Sequence, residues 1–161
     1  MDDAPALLSI YRPYVEDTAV SFETQTPTID EFAERVASAL EGWGWYVAER
    51  TGRVVGYAYG SRHRPRDAYA RSVEVSAYVH ESAHRQGLAG RLYHALFEKL
   101  EERGYESAYA GITLPNDASV GFHGAFGFRS IGVFPRVGFK FGQWYDVAWM
   151  YRPIAGQRGF G

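Results

Sequence analysis

Leucines at 88, 92, 96 and 100 recur every fourth residue, which gathers them into one apolar stripe and predicts a helix. Glu98, Lys99, Glu101 and Glu102 cluster near its end, and Gly104 stops it. Two helices are predicted upstream. Asp3-Ala4-Pro5 reads as a cap with proline in the first turn, opening a helix to about Val15. Thr28-Ile29-Asp30-Glu31 reads as a capping box before a second helix to about Leu40. Trp45 to Arg50 and Val54 to Ser61, joined by a Thr51-Gly52 turn, form a hairpin. From Ser72 to Val79 the alternation is strict, with Val73, Val75, Ala77 and Val79 on one face and Glu74, Ser76 and Tyr78 on the other. A strand from about Ser107 to Ile112, a short helix from Ser119 to Phe126, and strands from Phe128 to Phe134 and Gln143 to Arg152 complete the pattern. Helices and strands are mixed throughout with no linker or repeat, so the expected class is α/β or α+β, one domain over 1–161, with a mostly antiparallel sheet.

Composition narrows the function. With 161 residues and 46% hydrophobic content, the chain can bury a proper core. A net charge of -2 argues against a general nucleic-acid binder. The absence of cysteine removes thiolate nucleophiles and cysteine zinc sites, and fits a cytoplasmic protein; no metal is expected. No apolar run approaches the roughly 20 residues of a membrane span. Twelve tyrosines, ten phenylalanines and four tryptophans suit either thick sheet packing or the wall of a small-molecule cleft.

The start of the long helix carries chemistry. No Ser, Thr, Asp or Asn cap stands directly before Leu88, so the first amides of the helix lack side-chain partners. Free amides, glycines that permit close approach, and a nearby arginine form an anion site suited to a pyrophosphate. The spacing fits neither G-x-G-x-x-G nor the P-loop, and a Gly-rich turn of this kind is equally consistent with a tight connection.

His84-Arg85-Gln86-Gly87-Leu88-Ala89 resembles the Q/R-x-x-G-x-G/A motif of the GCN5-related N-acetyltransferases, with His in the first position. "LPNDASVGFHGAFGF" resembles that superfamily's N-x-x-S segment, and "GFKFGQWYDVAWM" resembles the signature of its phosphinothricin N-acetyltransferase branch. The resemblance implies the GNAT fold, a mostly antiparallel sheet whose strands splay to hold acetyl-CoA. It implies that Ala77, Tyr78 and Val79 meet the pantetheine arm like an added strand. Arg85, Gln86, Gly87, Leu88, Ala89, Gly90 and Arg91 then hold the phosphates, and Asn116 and Ser119 line the arm. Glu74 stands where the family places the base that deprotonates the amine, although a solvated strand glutamate is the commoner fate of such a residue. His123 stands where many relatives carry a tyrosine acid, and a lone helical histidine is more often structural. Tyr145 replaces a histidine of the branch, which leaves open whether His123 or Tyr145 protonates the leaving thiolate.

The resemblance further implies a small amino-acid-like amine acceptor of the phosphinothricin, methionine sulfoximine or methionine sulfone type, and a homodimer. Phe22, Glu23 and Thr24 match the family's early substrate loop, and Arg62, Tyr69 and Arg71 lie near the expected mouth. A non-catalytic acetyl-CoA-binding module and an enzyme acetylating protein or peptide amines stay open as alternatives. The family normally has a strand before its first helix, whereas this chain begins almost at the helix.

Overall fold

The computed structural model describes residues 3–154. Helix α1 (Ala4–Glu16) and helix α2 (Ile29–Gly42) lead into a hairpin of β1 (Trp45–Arg50) and β2 (Arg53–Arg62). Strand β3 (Ser72–Val79), helix α3 (Leu88–Glu102), strand β4 (Ser107–Thr113) and helix α4 (Asp117–Ala125) follow, and β5 (Arg129–Lys140) with β6 (Gln143–Pro153) closes the chain. The strands form one sheet in the order β1-β2-β3-β4-β6-β5. Every neighbouring pair is antiparallel except β3 and β4. This is the GNAT architecture expected from the sequence. Among the described residues, no strand precedes α1.

Local chemistry explains most boundaries. Thr28 accepts from the Glu31 amide while the Glu31 carboxylate accepts from the Thr28 amide, the reciprocal box read from the sequence. Asp3 precedes α1 as expected, but its side chain makes no capping bond; the proline in the first turn is what suits that start. At the other end of α3, Gly104 adopts φ 85, its amide reaches the Glu101 carbonyl and the Tyr105 amide reaches Leu100, a Schellman stop. The β1–β2 and β5–β6 hairpins turn on Thr51-Gly52 and Phe141-Gly142, each pair at positive φ as a two-residue type I′ turn requires.

The sheet is covered on both faces. Val73 and Val75 pack with Leu92, Leu96 and Leu100 of α3, as the alternation and the stripe require. Tyr93 and Phe97 are buried there too, so the apolar face of α3 is wider than the leucines alone indicate, while Leu88 is only half-buried. On the opposite face Tyr57, Tyr59 and Tyr78 meet α1 and α2 through Leu7, Tyr11, Phe32 and Val36.

β5 extends well beyond the predicted Phe134, as far as Lys140. A bulge between Phe134 and Gly138 absorbs Pro135, and there the Arg136 amide, at φ 49, donates to Asp146. Beyond the bulge, buried Lys140 donates its ammonium protons to the carbonyls of Val15 (2.6 Å) and Ser21 (2.7 Å). Those two bonds pin the ends of the segment that follows α1 to the sheet edge. Gly138 lies under the ring of Phe22 so closely that a Cβ there would stand 2.3 Å from it.

Candidate functional site

The centre of the molecule is a gap between strands. β3 and β4 pair only through Ser72 with Ser107, Val73 with Ala108, and Glu74 with Tyr109. Past that point each strand keeps its other neighbour, β2 for β3 and β6 for β4, so the sheet opens into a V. The cleft in the V is walled by Val75 to Tyr78 on one side and Ala110 to Thr113 on the other, with Tyr93, Asn116, Ser119 and His123 at its floor. Ala77 and Tyr78 therefore stand where an extended chain can add to a strand edge. The Val79 carbonyl is already taken, by the Tyr14 hydroxyl at 2.6 Å and by His84 Nε2 at 2.8 Å.

At the start of α3 the chain curls through positive φ at Arg85 and Gly87, and Gly87 caps the helix without any side-chain bond. Among the described residues, the amides of residues 85–90 have no hydrogen-bond partner; the next one, Arg91, reaches back to the Gly87 carbonyl. Consecutive free N–H groups at a helix N-terminus form a positive cradle. Arg85 and Arg91 are exposed beside it, while Leu88, Ala89 and Gly90 are half-buried. These residues fit the phosphates of a coenzyme A.

Asn116 caps α4, its Oδ1 accepting from the Ser119 amide at 3.1 Å. That bond leaves its side-chain NH2 without a partner among the described residues. His123 is 7% exposed and held at both ring nitrogens: Nδ1 lies 2.8 Å from the Ser119 carbonyl and Nε2 2.9 Å from the Tyr93 hydroxyl. A carbonyl only accepts, so Nδ1 carries the hydrogen and Nε2 accepts from Tyr93. Burial lowers the His123 pKa, outweighing the Ser119 carbonyl that favours the charged ring. Burial also pushes the Tyr93 hydroxyl well above its ordinary range. Tyr93 lies outside the leucine stripe, and no local pattern in the sequence marks it as the partner of His123.

The second space lies on the α1 and α2 side of the same opening. It is a chamber of about 450 Å³ walled by Val20, Phe22, Glu74, Phe134, Val137 and Trp149, and it shares Val75, Ser76, Gly111 and Thr113 with the cleft in the V. Glu74 is the carboxylate of this chamber. Its Oε2 stands 3.0 Å from His63 Nδ1 and 3.4 Å from Arg64, and among the described residues Oε1 has no partner. His63 is stacked on Tyr109 at 4.8 Å, so the carboxylate is oriented by a ring that is itself fixed. His63 and Arg64 escaped the sequence reading because they lie in an irregular loop; the register that pairs Ser61 with Glu74 is the signal that carries the next residues toward the carboxylate.

The remaining expected residues divide. Phe22 lines the chamber and Tyr145 packs against it at 6.4 Å, on the β6 segment beyond Val147. Glu23 is held by the Tyr11 hydroxyl and by both terminal nitrogens of Arg35, and Thr24 is exposed. Desolvation raises the Glu23 pKa, but the Arg35 and Tyr11 bonds outweigh it and the net shift is downward. Tyr69 lies edge-on to His63 at 5.7 Å. Arg62 does not join the site: it pairs with Val73, which puts it on the face away from Glu74. Arg71 is drawn off as well, into an exposed pair with Glu106.

The family model for an acetyltransferase (GNAT) domain matches residues 1–149. A phosphinothricin N-acetyltransferase of Streptomyces coelicolor is 38% identical over 157 residues, covering 95% of this chain and 92% of its own. An L-methionine sulfoximine/L-methionine sulfone acetyltransferase of Pseudomonas paraeruginosa is 36% identical, covering 92% of this chain and 87% of its own. Among solved structures, a GNAT superfamily phosphinothricin acetyltransferase from Sinorhizobium meliloti in complex with AcCoA superposes with a TM-score of 0.90 at 33% identity, over 94% of this chain and 83% of that one.

Two outcomes follow from this geometry. An ideal Cβ at Gly87 meets nothing within 4 Å, so Gly87→Val folds despite the strain of its φ of +73, but its side chain obstructs the cradle. Calorimetry should show acetyl-CoA affinity reduced at least about tenfold, the cost of one lost charge-assisted bond of about 1.5 kcal/mol; unchanged affinity in the folded variant contradicts the cradle. The second concerns pH. Because burial depresses the folded pKa of His123, the unfolded chain binds a proton below about 6.5 that the native protein refuses, and stability is lost as the pH falls. Urea unfolding between about pH 7 and pH 5 should reveal this component, with a limiting slope of about 1.4 kcal/mol per pH unit, in wild type and not in His123→Gln. Equal pH dependence in the two proteins contradicts it.

Proposed function

This chain belongs to the acetyltransferase (GNAT) family, in its phosphinothricin acetyltransferase-like branch, and from that premise we propose the acceptor and the roles of its residues. It is an acetyl-CoA-dependent N-acetyltransferase. The acceptor is the primary amine of a small amino acid with a polar side group, of the phosphinothricin, methionine sulfoximine or methionine sulfone type. The observation that carries this reading is Glu74, oriented by His63 in a chamber of about 450 Å³ that shares walls with the cleft of the V. A space of that size suits a small amino acid.

Acetyl-CoA supplies an acetyl group on a thioester, activated toward attack by a neutral amine. The amides of residues 85–90, with Arg85 and Arg91 beside them, bind its phosphates, and the Ala77–Val79 edge and the Asn116 NH2 orient its arm. Glu74 takes the proton of the acceptor ammonium at Oε1, while His63 and Arg64 fix the carboxylate through Oε2. The Tyr93 hydroxyl and His123 form the hydrogen-bonded pair at the floor of the cleft that serves the departing sulfur. Tyr145, against Phe22 on the chamber side, is the other hydroxyl offered for that proton. Phe22 shapes the acceptor space, and Arg64 rather than Arg62 brings a guanidinium to the Glu74 side, 6.0 Å over the Trp149 ring.

The homodimer is proposed on a physical ground. Ile131, Val133, Phe134, Val137, Phe139, Phe141 and Trp144 of the β5–β6 hairpin are each between 47% and 59% exposed, an apolar surface suited to a second copy.

Glu74→Gln keeps the size of the side chain and should lower turnover by about 100-fold, the ordinary scale for loss of a general base. The defect should shrink as pH rises and the free amine becomes abundant. Unchanged turnover, or a defect constant with pH, removes the base assignment. In an acceptor panel, methionine sulfone, methionine sulfoximine and phosphinothricin should outperform polyamines and lysine-rich peptides, and a panel won by peptides overturns the acceptor. Sedimentation of the same protein should give twice the mass of one 18.1 kDa chain, and a monomer rejects the dimer.

A further inference from the structure

Helix α1 ends without a cation of its own. Its last turn carries no basic residue, and the Val15 carbonyl is among those that find no partner inside the helix. The missing charge comes from β5, 125 residues further along the chain: the Lys140 ammonium donates to the Val15 carbonyl at 2.6 Å and to that of Ser21 at 2.7 Å. Lys140 is 5% exposed, as is Ser21, and Val15 is 1% exposed, so water does not substitute for the ammonium there. Lys99 and Lys140 are the only lysines of the chain, which elsewhere uses arginine and histidine for its basic side chains. Two carbonyls converging on one buried point suit a compact ammonium better than a planar guanidinium.

What these bonds hold is the stretch between α1 and α2, which has no helix or strand of its own. Its other hydrogen bonds stay within it or run to the two helices: Thr18 reaches Tyr14, Ser21 and Glu23 meet Tyr11, and Arg35 holds Glu23. Among the described residues, Lys140 alone bonds it to the sheet. The part so held faces the chemistry. Val20 lines both the cleft in the V and the acceptor chamber, and Phe22 lines the chamber. Val20 is 39% exposed and Phe22 38%, so burial alone does not fix them. Gly138, two residues before Lys140 and on the same face of β5, receives the Phe22 ring. One strand face thus holds the backbone through Lys140 and seats the ring over Gly138.

We propose that Lys140 is a positioning residue for the acceptor: by holding the carbonyls of Val15 and Ser21 it sets where Val20 and Phe22 stand in the chamber that contains Glu74. The inference rests on the acetyltransferase reading above and deepens it. A neutral, apolar side chain at 140 leaves two buried carbonyls without a donor, and the stretch relieves that loss by moving outward to water. The chamber then loses its fit to the acceptor. The amides of residues 85–90, which bind the other substrate, make no hydrogen bond to residues 17–22.

The test is steady-state kinetics of the full chain with acetyl-CoA and the best acceptor of the panel above, beside calorimetric titration with acetyl-CoA. Lys140→Met keeps the apolar stem and drops the ammonium. The acceptor KM should rise about tenfold, equivalent to about 1.4 kcal/mol, with kcat and the acetyl-CoA Kd each within about threefold, the signature of lost binding without lost chemistry. A lysine that served stability alone would lower the urea midpoint and leave that split absent. Because Lys140 acts through the stretch that carries Phe22, Lys140→Met in a Phe22→Ala background should add no more than about twofold to the acceptor KM. Lys140→Arg retains the charge on a planar head and should show the same split at about threefold in KM; it carries the test if Lys140→Met does not fold. An unchanged acceptor KM in a folded variant, an equal loss for both substrates, or full additivity with Phe22→Ala overturns this inference alone. A wild type that turns over no amine removes the acceptor reading and this inference with it.

Discussion

Everything functional in this molecule depends on how soon the parallel pairing of β3 and β4 ends. After Glu74 and Tyr109 the two strands have no registered partner in each other, yet neither is loose. β3 remains paired with β2 through Gly56 and Val79, and β4 with β6 through Thr113 and Val147. The sheet is thus two firm halves hinged at one short ladder. Opening it leaves strand-edge amides and carbonyls that need partners, which an extended ligand can supply. The split also joins the two faces of the sheet, with the free amides before α3 and His123 on the α3 and α4 side and Glu74 on the α1 and α2 side.

Burial is used selectively around this opening. His123 is kept neutral by its surroundings and fixed in one tautomer by a carbonyl that only accepts. Glu74, by contrast, keeps one oxygen committed to His63 and Arg64, and the other has no partner among the described residues. Lys140 shows a third use of a polar group. Its buried ammonium makes no ion pair among the described residues, yet it ties both ends of the Val15–Ser21 segment to the sheet, so the loop that carries Phe22 leaves from a fixed point.

What could be read from the amino-acid order follows from the range of the forces involved. Caps, turns and periodicity act over a few residues, so the Thr28 box, the Gly104 stop, the leucine stripe and the placement of Glu74 opposite Val73 were all visible. Arg62 looked like part of the acceptor site until the register assigned it to the other face, because a one-residue step in a strand reverses a side chain. Pro135 concealed the second half of β5, since a bulge is set by the partner strand and not by the residues themselves. His63 against Glu74, and Tyr93 against His123, are contacts between positions 11 and 30 residues apart, and no local pattern encodes them.

Gly138 is small for a reason that concerns selectivity. The ring of Phe22 occupies the place where any other residue would carry its Cβ, and the same side chain lines the chamber beside Glu74. The breadth of the chamber beside Glu74 is therefore tied to the lack of one carbon at Gly138. Because the obstacle is an exposed side chain rather than backbone, a methyl added there is accommodated by displacing Phe22, not by unfolding the hairpin. A change at Gly138 can thus alter the width of that chamber while the turn before α3 and Glu74 stay as they are.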